Sequence, residues 1–288
     1  MGVTHIPVLL EEVLDNLVGI GTGLFVDATV GGAGHSYAIL ERQKYLRLVG
    51  LDVDEDNLRT AEEKLCAFEK RVTLVRGNFR DLGRILRSLD IESMEGILFD
   101  LGLSTYQMMG NRGFSFNDEF FLDMRMDNRD PVTAYDVVNG YGYEALKSVI
   151  EEFGEEYRAP KIARMIVEER KKKPISTARE LSAVILKAKK RQGKIHPATK
   201  TFQALRIEVN QELNNMRSGL SDAIAMLAPK GRIGVISFHS LEDRIVKETF
   251  RGSPLLRLVT KKPIRPERPE VLLNPRARSA KLRVAEKL

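Results

Sequence analysis

A chain of 288 residues, 43% hydrophobic and 30% charged, is long enough to bury a full core and has the composition of an ordinary globular protein. It has no apolar run near the roughly 18–20 residues that a bilayer span requires and no signal-like leader, so we expect no membrane partner and a cytoplasmic location. One cysteine and four scattered histidines lack zinc-ligand spacing, so we expect no metal, while the net charge of +6 is compatible with a nucleic-acid partner.

The first 105 residues alternate amphipathic helices with short apolar strands. Predicted helices cover 7–18, 36–44, 55–69 and 82–89, and predicted strands cover 24–30, 46–52, 72–76 and 96–101. The strands are almost continuously apolar, as expected where both faces of a parallel sheet are covered. This alternation predicts a doubly wound, mostly parallel α/β sheet.

The alternation stops after the fourth strand. Residues 102–130 have a loop-like pattern, and the following predicted helices cover 143–153, 158–173, 177–192 and 198–227. Thr177 and Glu180 have the spacing of a capping box at the start of one of them. We therefore predict an inserted all-helical domain at 106–198 within a sheet domain formed by 1–105 and 199–288.

The sheet pattern resumes near residue 229. A fifth strand at 229–238 is followed by a helix at 241–251 and by two closing strands at 255–260 and 281–285. The segment between the closing strands is rich in Pro and Arg, and we predict an extended surface segment there.

A glycine cluster follows the first strand directly. Gly31, Gly32 and Gly34 allow a positive φ and a close approach of a ligand to the main chain. The helix that begins near His35 directs its unpaired N–H groups toward anything held above this loop. The stretch predicts a nucleotide-sized binding site.

Polar side chains stand at the ends of the first four predicted strands, where open α/β sheets bind their ligands. They are Asp27, Asp52, Asn78 with Phe79, and Asp100. Asp52 lies about 20 residues beyond the glycine loop, the spacing of a ribose-binding acid, although a helix cap is its alternative. Asp54 is predicted to be the N-cap of the next helix. Phe79 is predicted with equal weight as an adenine contact or as core.

The glycine loop departs from the common nucleotide motifs. A dinucleotide motif would need glycine at position 37, where the chain has Tyr37, and no Gly-Lys-Ser/Thr sequence of a phosphate-binding loop follows the glycines. An adenosine-type ligand without a diphosphate remains, and S-adenosylmethionine is the cofactor that fits. A nicotinamide oxidoreductase is the weaker alternative.

The chain resembles the MraW (RsmH) family from its N-terminal Thr4–Pro7 to its C-terminus. The segments that carry the resemblance are Thr29–Ser36, Leu51–Asp54, Phe99–Ser104, Arg112–Phe116, Leu122–Asp127, Ala198–Arg206, Ser237–Arg244 and Asn274–Ser279. The resemblance implies a Rossmann-like class I methyltransferase fold with an inserted helical domain. It also implies an enzyme that uses S-adenosylmethionine to methylate the N4 amino group of a decoding-region cytidine in small-subunit (16S) ribosomal RNA.

The resemblance also implies site residues and partners. The implied cofactor contacts, which include the neighbouring glycine of the loop, are Gly32, Ala33, Gly34, His35, Asp52, Phe79, Asp100 and Gln107. The implied partner is an assembled or nearly assembled small subunit, and a homodimer is compatible with the family. For His35, a contact through its backbone N–H explains the residue without acid–base chemistry.

The candidate catalytic residues are Asp100, Ser104 and His239. A cytosine amino group has its lone pair delocalised into the ring, so acceptors must hold its N–H bonds while the nitrogen attacks a methyl group. We expect Asp100 to orient this amino group or the cofactor's amine, with the cap of a turn as its structural alternative. His239 is predicted to contact the base or, with more weight, to hydrogen-bond the loop after the fourth strand.

Basic clusters are the candidates for RNA contact, and they occur at 170–173, 187–194 and 261–268, continuing to Arg283. Phe114 and Phe116 are candidates to stack on an unpaired base, although core packing is their alternative. Two further functions stay open from the residues alone: a non-catalytic RNA-binding factor, and a methyltransferase that acts on a protein or a small molecule.

Overall fold

A computed structural model describes residues 6–18, 23–104, 107–108, 110–189 and 196–288. The chain forms two compact units. The first comprises Met1–Ser104 and Leu213–Leu288, and the second comprises Thr105–Glu212. Among the described residues, no helix is long and apolar enough to cross a membrane.

The first unit is built on one seven-stranded sheet. Its strands are β1 (Leu24–Asp27), β2 (Arg47–Asp52), β3 (Val72–Arg76), β4 (Met94–Asp100), β5 (Leu227–Ser237), β6 (Leu256–Leu258) and β7 (Lys281–Lys287). Their order across the sheet is β3-β2-β1-β4-β5-β7-β6. The first five are parallel, and β7 runs antiparallel to both of its neighbours. This is the Rossmann-like class I methyltransferase fold, so the predicted fold class is confirmed.

The described helices alternate with these strands and also fill the second unit. They are α1 (Leu10–Leu17), α2 (Gly34–Arg42), α3 (Glu55–Leu65), α4 (Leu82–Ser88), α5 (Ala134–Gly140), α6 (Tyr143–Gly154), α7 (Ala159–Arg170), α8 (Ala178–Ala188), α9 (Thr199–Asn210), α10 (Glu212–Met226), α11 (Ser240–Gly252) and α12 (Arg268–Leu273). Helices α5 to α9 lie in the second unit. The others cover the sheet, and one apolar core joins α1 and α2 to β1, β2 and β7.

The course of β6 and β7 determines what else lies at the edge of the sheet where the parallel strands end. Because β6 and β5 are both antiparallel to β7, β6 runs toward the edge at which β1, β2 and β4 end, and β7 begins at that edge. After β6 the chain continues along β7 and reaches the carboxyl edge at Ile264, which pairs with Leu282 opposite Ile236 of β5. The connection from β6 to β7 lies at the surface, as predicted, but it is not extended throughout, because it contains α12 and a 3-10 helix over Pro275–Ser279.

The second unit is helical, and its local signals match its structure. Thr177 and Glu180 form the predicted capping box at the start of α8. A further helix, α5, begins at a second capping box of Thr133 and Asp136, which the sequence prediction missed. Arg170 at the end of α7 donates hydrogen bonds of 2.6 Å to the carbonyl oxygens of Val138 and Tyr141.

The single long helix predicted at 198–227 is two helices. Gln211 lies between α9 and α10 with φ of 51°, a left-handed conformation that interrupts the helix. Helix α9 packs against α6, where Gln203 Nε2 donates to the Phe153 carbonyl at 3.0 Å. The compact second unit consequently runs to Glu212 rather than to the predicted boundary at 198.

Candidate active site

Three buried or half-buried aspartates end adjacent strands at the carboxyl edge of the sheet. Asp27 ends β1, Asp52 ends β2 and Asp100 ends β4. Strand β1 lies between β2 and β4, so the strand order runs one way across the sheet from β1 to β3 and the opposite way from β4 to β5. Such a reversal of strand order opens the crevice in which doubly wound sheets bind their ligands.

The glycine loop after β1 has the tight backbone that its sequence predicts. Gly31 has φ of 49°, and Ala33, which precedes α2, has φ of 56°. A Cβ atom on Gly34 would lie 2.5 Å from Cγ of Pro7, so only glycine leaves room for this N-terminal proline. The loop is thus fixed from outside by residues that precede α1.

Asp52 holds the glycine loop against the end of β2. Its Oδ2 accepts hydrogen bonds from the Gly31 N–H at 2.9 Å and from Asn57 Nδ2 at 3.1 Å, and its Oδ1 accepts from the Asp54 N–H at 2.9 Å. Each carboxylate oxygen has two acceptor positions, so Oδ1 can still accept one more donor. Asp54 itself caps α3 by accepting from the Asp56 N–H, as predicted. The contact of Asp52 with a ribose stays a prediction.

Asn57 is a site residue that the sequence prediction missed. It lies on α3 with only 2% of its surface exposed and joins Asp52 to Ser104, whose Oγ donates to Asn57 Oδ1 at 2.9 Å. Ser104 is thereby tied to the second strand through Asn57. The signal was present in the sequence, because Asn57 shares the buried face of α3 with Ala61 and Leu65.

Asp100 is held rigidly at its backbone and is electrostatically unusual at its side chain. Its N–H donates to Thr29 Oγ1 at 2.7 Å, which fixes the end of β4 against the loop after β1. Its Oδ1 is buried and has no hydrogen-bond partner among the described residues. Burial, together with the negative charges of Asp27 and Glu242, raises the pKa of Asp100 to about 8.

Asp27 supplies part of that negative environment. It is 2% exposed and accepts hydrogen bonds from Ser36 Oγ at 2.6 Å and from the Thr29 N–H at 3.2 Å. Burial outweighs these bonds and raises its pKa to about 6, and burial raises that of Asp52 to about 6 as well. The edge therefore concentrates three carboxyl groups that hold their protons more tightly than exposed ones.

These raised pKa values predict that the folded protein loses stability as the pH rises. Each carboxyl binds its proton more tightly when folded than in the unfolded chain, so the stabilisation is complete at low pH and disappears as the pH passes the folded values of about 6 for Asp27 and Asp52 and about 8 for Asp100. We expect the free energy of unfolding, measured by urea titration, to fall by at least about 1 kcal/mol between about pH 5.5 and pH 8.5.

The Asp100→Asn variant is the control for this prediction, because it lacks the carboxyl that titrates last. Its free energy of unfolding should depend less on pH above about pH 7 than that of the wild type. Parallel curves for the two proteins would contradict the assignment of the raised pKa to Asp100.

Phe79 and Gln107, which the family resemblance implies as cofactor contacts, have different surroundings. Phe79 is half-buried and packs edge-on against Phe99 with ring centroids 5.5 Å apart, while a Cβ atom on Gly219 would lie 2.8 Å from its ring. One part of the ring is therefore core, and the rest is accessible. Gln107 is buried in the second unit. The cofactor contacts of both residues stay predictions.

His239 caps a helix at the end of β5. Its Nδ1 accepts from the Glu242 N–H at 3.3 Å, while Glu242 accepts from the N–H groups of Phe238 and His239, which makes a capping box at the start of α11. Its Nε2 lies 3.0 Å from Glu242 Oε1. These contacts give His239 a structural role, and its catalytic role stays a prediction.

The aromatic and basic candidates of the second unit are largely used for its own packing. Phe114 is buried, and Phe116 stacks on the His196 ring with centroids 4.4 Å apart. Lys187 pairs with Glu169 at 3.4 Å, and Lys189 pairs with Glu156. The described part of this unit thus gives structural partners to residues that the sequence suggested for RNA.

Comparison with known proteins identifies the family of this chain. The sequence profile of the MraW methylase family matches residues 2–288. The chain belongs to the MraW methylase family. As a family member it is an S-adenosylmethionine-dependent methyltransferase, which confirms the predicted family, enzyme class and cofactor.

Relatives within the MraW family match over essentially their whole length. One from Sulfurihydrogenibium sp. (strain YO3AOP1) is 52% identical, over 99% of this chain and 100% of its own. Others from Persephonella marina and Thermotoga neapolitana are 49% and 50% identical, over 99% and 98% of this chain and 100% and 95% of their own. Each of the three is named ribosomal RNA small subunit methyltransferase H.

The described residues at the carboxyl edge of the sheet fit S-adenosylmethionine. The loop with positive φ at Gly31 and Ala33 and the first N–H groups of α2 suit a carboxylate, and the spare acceptor of Asp52 suits a ribose hydroxyl. The buried Oδ1 of Asp100 suits a hydrogen-bond donor. The donor set therefore agrees with an adenosine joined to an amino acid.

Proposed function

We propose that this chain methylates the N4 amino group of a cytidine in the decoding region of small-subunit (16S) ribosomal RNA. Its substrate in this proposal is the RNA within an assembled or nearly assembled small subunit, in the cytoplasm. The names of its full-length relatives support the ribosomal substrate. The observation that carries the choice of an amino group is the buried Oδ1 of Asp100 at the end of β4, which has no hydrogen-bond partner among the described residues.

An exocyclic amino group requires an acceptor of this kind. Its lone pair is delocalised into the base, so an acceptor that holds one N–H bond helps the nitrogen to pyramidalise and direct its lone pair outward. Asp100 offers that acceptor on a backbone fixed by Thr29. Positioning of this sort supplies a large share of the rate, with reacting atoms about 3–3.5 Å apart.

The cofactor would be held by the residues at the other strand ends. In the proposal the glycine loop, from Gly32 to His35, binds its amino-acid part and Asp52 binds its ribose. Phe79 contacts the adenine with the accessible part of its ring, and Gln107 stays the further cofactor contact that the family resemblance implies. S-adenosylmethionine supplies an electrophilic methyl group, and its sulfur keeps the electron pair of the broken S–CH3 bond.

A surface of the first unit is better suited to RNA than the basic clusters of the second. We define the C-terminal basic surface as the exposed residues Lys261, Lys262, Arg265, Arg268 and Arg278. None of them pairs with a carboxylate among the described residues, whereas Lys281 and Arg283 both pair with Asp243. They belong to the connection from β6 to β7, which reaches the level of Asp100 at Ile264, because Ile264 pairs with Leu282 and Leu282 pairs with Ile236, the β5 partner of Asp100. Unpaired cations beside the site suit RNA phosphates.

The connection that carries this surface is fastened to the chain beside the glycine loop. Glu270 Oε1 accepts from the Leu9 N–H at 2.8 Å, and Asn274 Nδ2 donates to the Ile6 carbonyl at 3.1 Å. Pro7, which lies between these two residues, packs on Gly34. The C-terminal basic surface therefore has a fixed position relative to the site.

Charge reversal on this surface is expected to weaken RNA binding selectively. The double variant Lys262→Glu with Arg265→Glu should lower the affinity for small-subunit RNA at least about tenfold near 0.1 M salt and flatten its salt dependence, because cations that neutralise phosphates are lost. Filter binding at several salt concentrations measures both effects. Affinity for S-adenosylmethionine should stay unchanged.

The matched control makes the same charge change at the opposite edge of the sheet. Lys44 and Lys70 are exposed and precede β2 and β3, so they lie where the parallel strands begin. The variant Lys44→Glu with Lys70→Glu should bind RNA like the wild type. Equal losses for the two double variants would indicate a general charge effect and contradict the assigned surface.

The proposed function is tested by offering alternative acceptors for the same methyl group. The protein is incubated with methyl-labelled S-adenosylmethionine and, separately, with small subunits, naked 16S RNA or ribosomal protein. We expect label in the RNA of small subunits and little in the other two. Label in protein, or in no acceptor, would overturn the proposal.

A further inference from the structure

The side chain of His35 faces Asp100 from the first turn of α2. Its Nδ1 lies 3.6 Å from Asp100 Oδ2, and its Nε2 lies 2.9 Å from the carbonyl oxygen of Val8. The ring is 5% exposed, so both contacts are made away from solvent. A backbone contact with the cofactor would explain the position of this residue but not the orientation of its ring.

The Val8 carbonyl determines which ring nitrogen carries the proton. A carbonyl oxygen can only accept, so Nε2 must be the protonated nitrogen in the neutral ring. The lone pair of the neutral imidazole is then on Nδ1, on the side of Asp100. Because Leu9 beside Val8 is bound by Glu270, this carbonyl is itself fixed in place.

Among the described residues, the charged groups that raise the pKa of Asp100 are both acidic. Asp27 approaches from β1 and Glu242 from α11, and both disfavour a negative charge on Asp100. His35, from α2, is the group within ion-pair distance that can take a positive charge. Facing a neutral imidazole, Asp100 is a neutral carboxylic acid over much of the physiological range because its pKa is raised, and a protonated carboxyl cannot accept a further proton.

We propose that His35 is a positioning residue that shares one proton with Asp100, so that Asp100 is ionised when it has to accept a proton from the substrate amino group. The proposal rests on the proposed function for the identity of that amino group. With the shared proton on Nδ1, Asp100 is a carboxylate whose Oδ2 faces the imidazolium. Its Oδ1 is then available to the substrate.

The proton balance of the reaction requires such an acceptor. The amino nitrogen forms a bond to the methyl carbon with its lone pair and must release one of its two protons to become a neutral methylamino group. That proton goes to Oδ1 of Asp100. Exchange with solvent then returns the pair to its starting state, which still holds one shared proton.

The variant His35→Gln separates this role from a structural one. A glutamine amide can reach the position of Nε2 and donate to the Val8 carbonyl, but it has no basic nitrogen toward Asp100. Single-turnover methyl transfer is measured from about pH 6 to pH 9.5 at saturating cofactor. The acidic limb of the plot of rate against pH should move to higher pH by about one unit. The rate of methyl transfer should then fall about tenfold near pH 7 and less than about threefold near pH 9.5.

The control changes the same helix without touching the pair. Tyr37→Phe removes only the hydrogen bond from the Tyr37 hydroxyl to Glu41, so its pH limb should match that of the wild type. An unmoved limb in His35→Gln, with a change only in the dissociation constant of S-adenosylmethionine, would overturn the proposal. A wild type that transfers methyl groups to no RNA would instead overturn the proposed function.

A measurement on the resting protein tests the pair even if the variant does not fold or the RNA is not the substrate. Nitrogen-15 labelling of the four histidines reports the protonated ring nitrogen of each. At high pH, His35 should be protonated on Nε2, and its titration midpoint should move by at least about half a pH unit in Asp100→Asn. Protonation on Nδ1, or an unmoved midpoint, would overturn the proposal.

Discussion

The Asp100→Asn variant is expected to transfer methyl groups at least about 100-fold more slowly than the wild type at about pH 7.5, while it binds RNA normally. Asparagine keeps the size of the side chain and the N–H bond to Thr29, so the end of β4 stays in place. It loses the ability to accept a proton from the amino group. Single-turnover kinetics with preformed enzyme–RNA complex measures the loss.

A matched substitution shows whether the loss comes from the site. Asp90 is an exposed aspartate between α4 and β4 with φ of 57°, a conformation that asparagine also adopts. Asp90→Asn makes the same chemical change at the opposite edge of the sheet and should leave the rate unchanged. A rate for Asp100→Asn within about threefold of the wild type would show that Asp100 only terminates a strand.

The Asp52→Ala variant is expected to bind S-adenosylmethionine about 10- to 100-fold more weakly, as isothermal calorimetry would measure. The change removes the proposed acceptor for the ribose and also releases the Gly31 N–H, which Asp52 holds at 2.9 Å. Loss of hydrogen bonds to a charged group costs about 1.5–3 kcal/mol, which corresponds to the expected range of affinities.

The neighbouring aspartate separates cofactor binding from helix capping. Asp54→Ala removes the N-cap of α3 and should lower the free energy of unfolding by about 1 kcal/mol with little change in cofactor affinity. The opposite pattern, in which Asp54→Ala weakens binding and Asp52→Ala does not, would contradict the assignment of Asp52 to the ribose.

The sequence predicted the strands of the sheet well because each is a short apolar run bounded by turns and charges. The third predicted strand, 72–76, has the bounds of β3, and the capping signals at Asp54 and Thr177 identified their helices. These features depend on local chemistry. They are therefore readable before any tertiary contact is known.

Features that depend on tertiary contacts were not predicted. The apolar spacing continues through Gln211, so the helix was extended across a residue that adopts a left-handed conformation. The spacing of Asn57 with Ala61 and Leu65 indicates burial, but nothing near Asn57 in the sequence indicates its bonds to Asp52, at the end of β2, and to Ser104, beyond the end of β4. The glutamate partners of Lys187 and Lys189 lie in α7 and in the loop between α6 and α7, so sequence alone left these lysines as candidates for RNA.

The family resemblance supplied what neither pattern nor geometry contains. Strand-end aspartates and a glycine loop indicate an adenosine-type ligand, but they do not name the base to be methylated. The structure adds the reason why an amino group suits this edge, which is the buried acceptor on Asp100 beside His35. The two sources together make the position of the methyl group the most informative property to measure.

That position is measured by digesting RNA from wild-type reactions with small subunits to nucleosides and fragmenting the methylated cytidine by mass spectrometry. With nitrogen-15 in the exocyclic amino group of cytidine, the proposed function predicts that the methyl group stays with the labelled nitrogen, as N4-methylcytidine. A methyl group on carbon 5 of the base or on the ribose 2′-oxygen would contradict it.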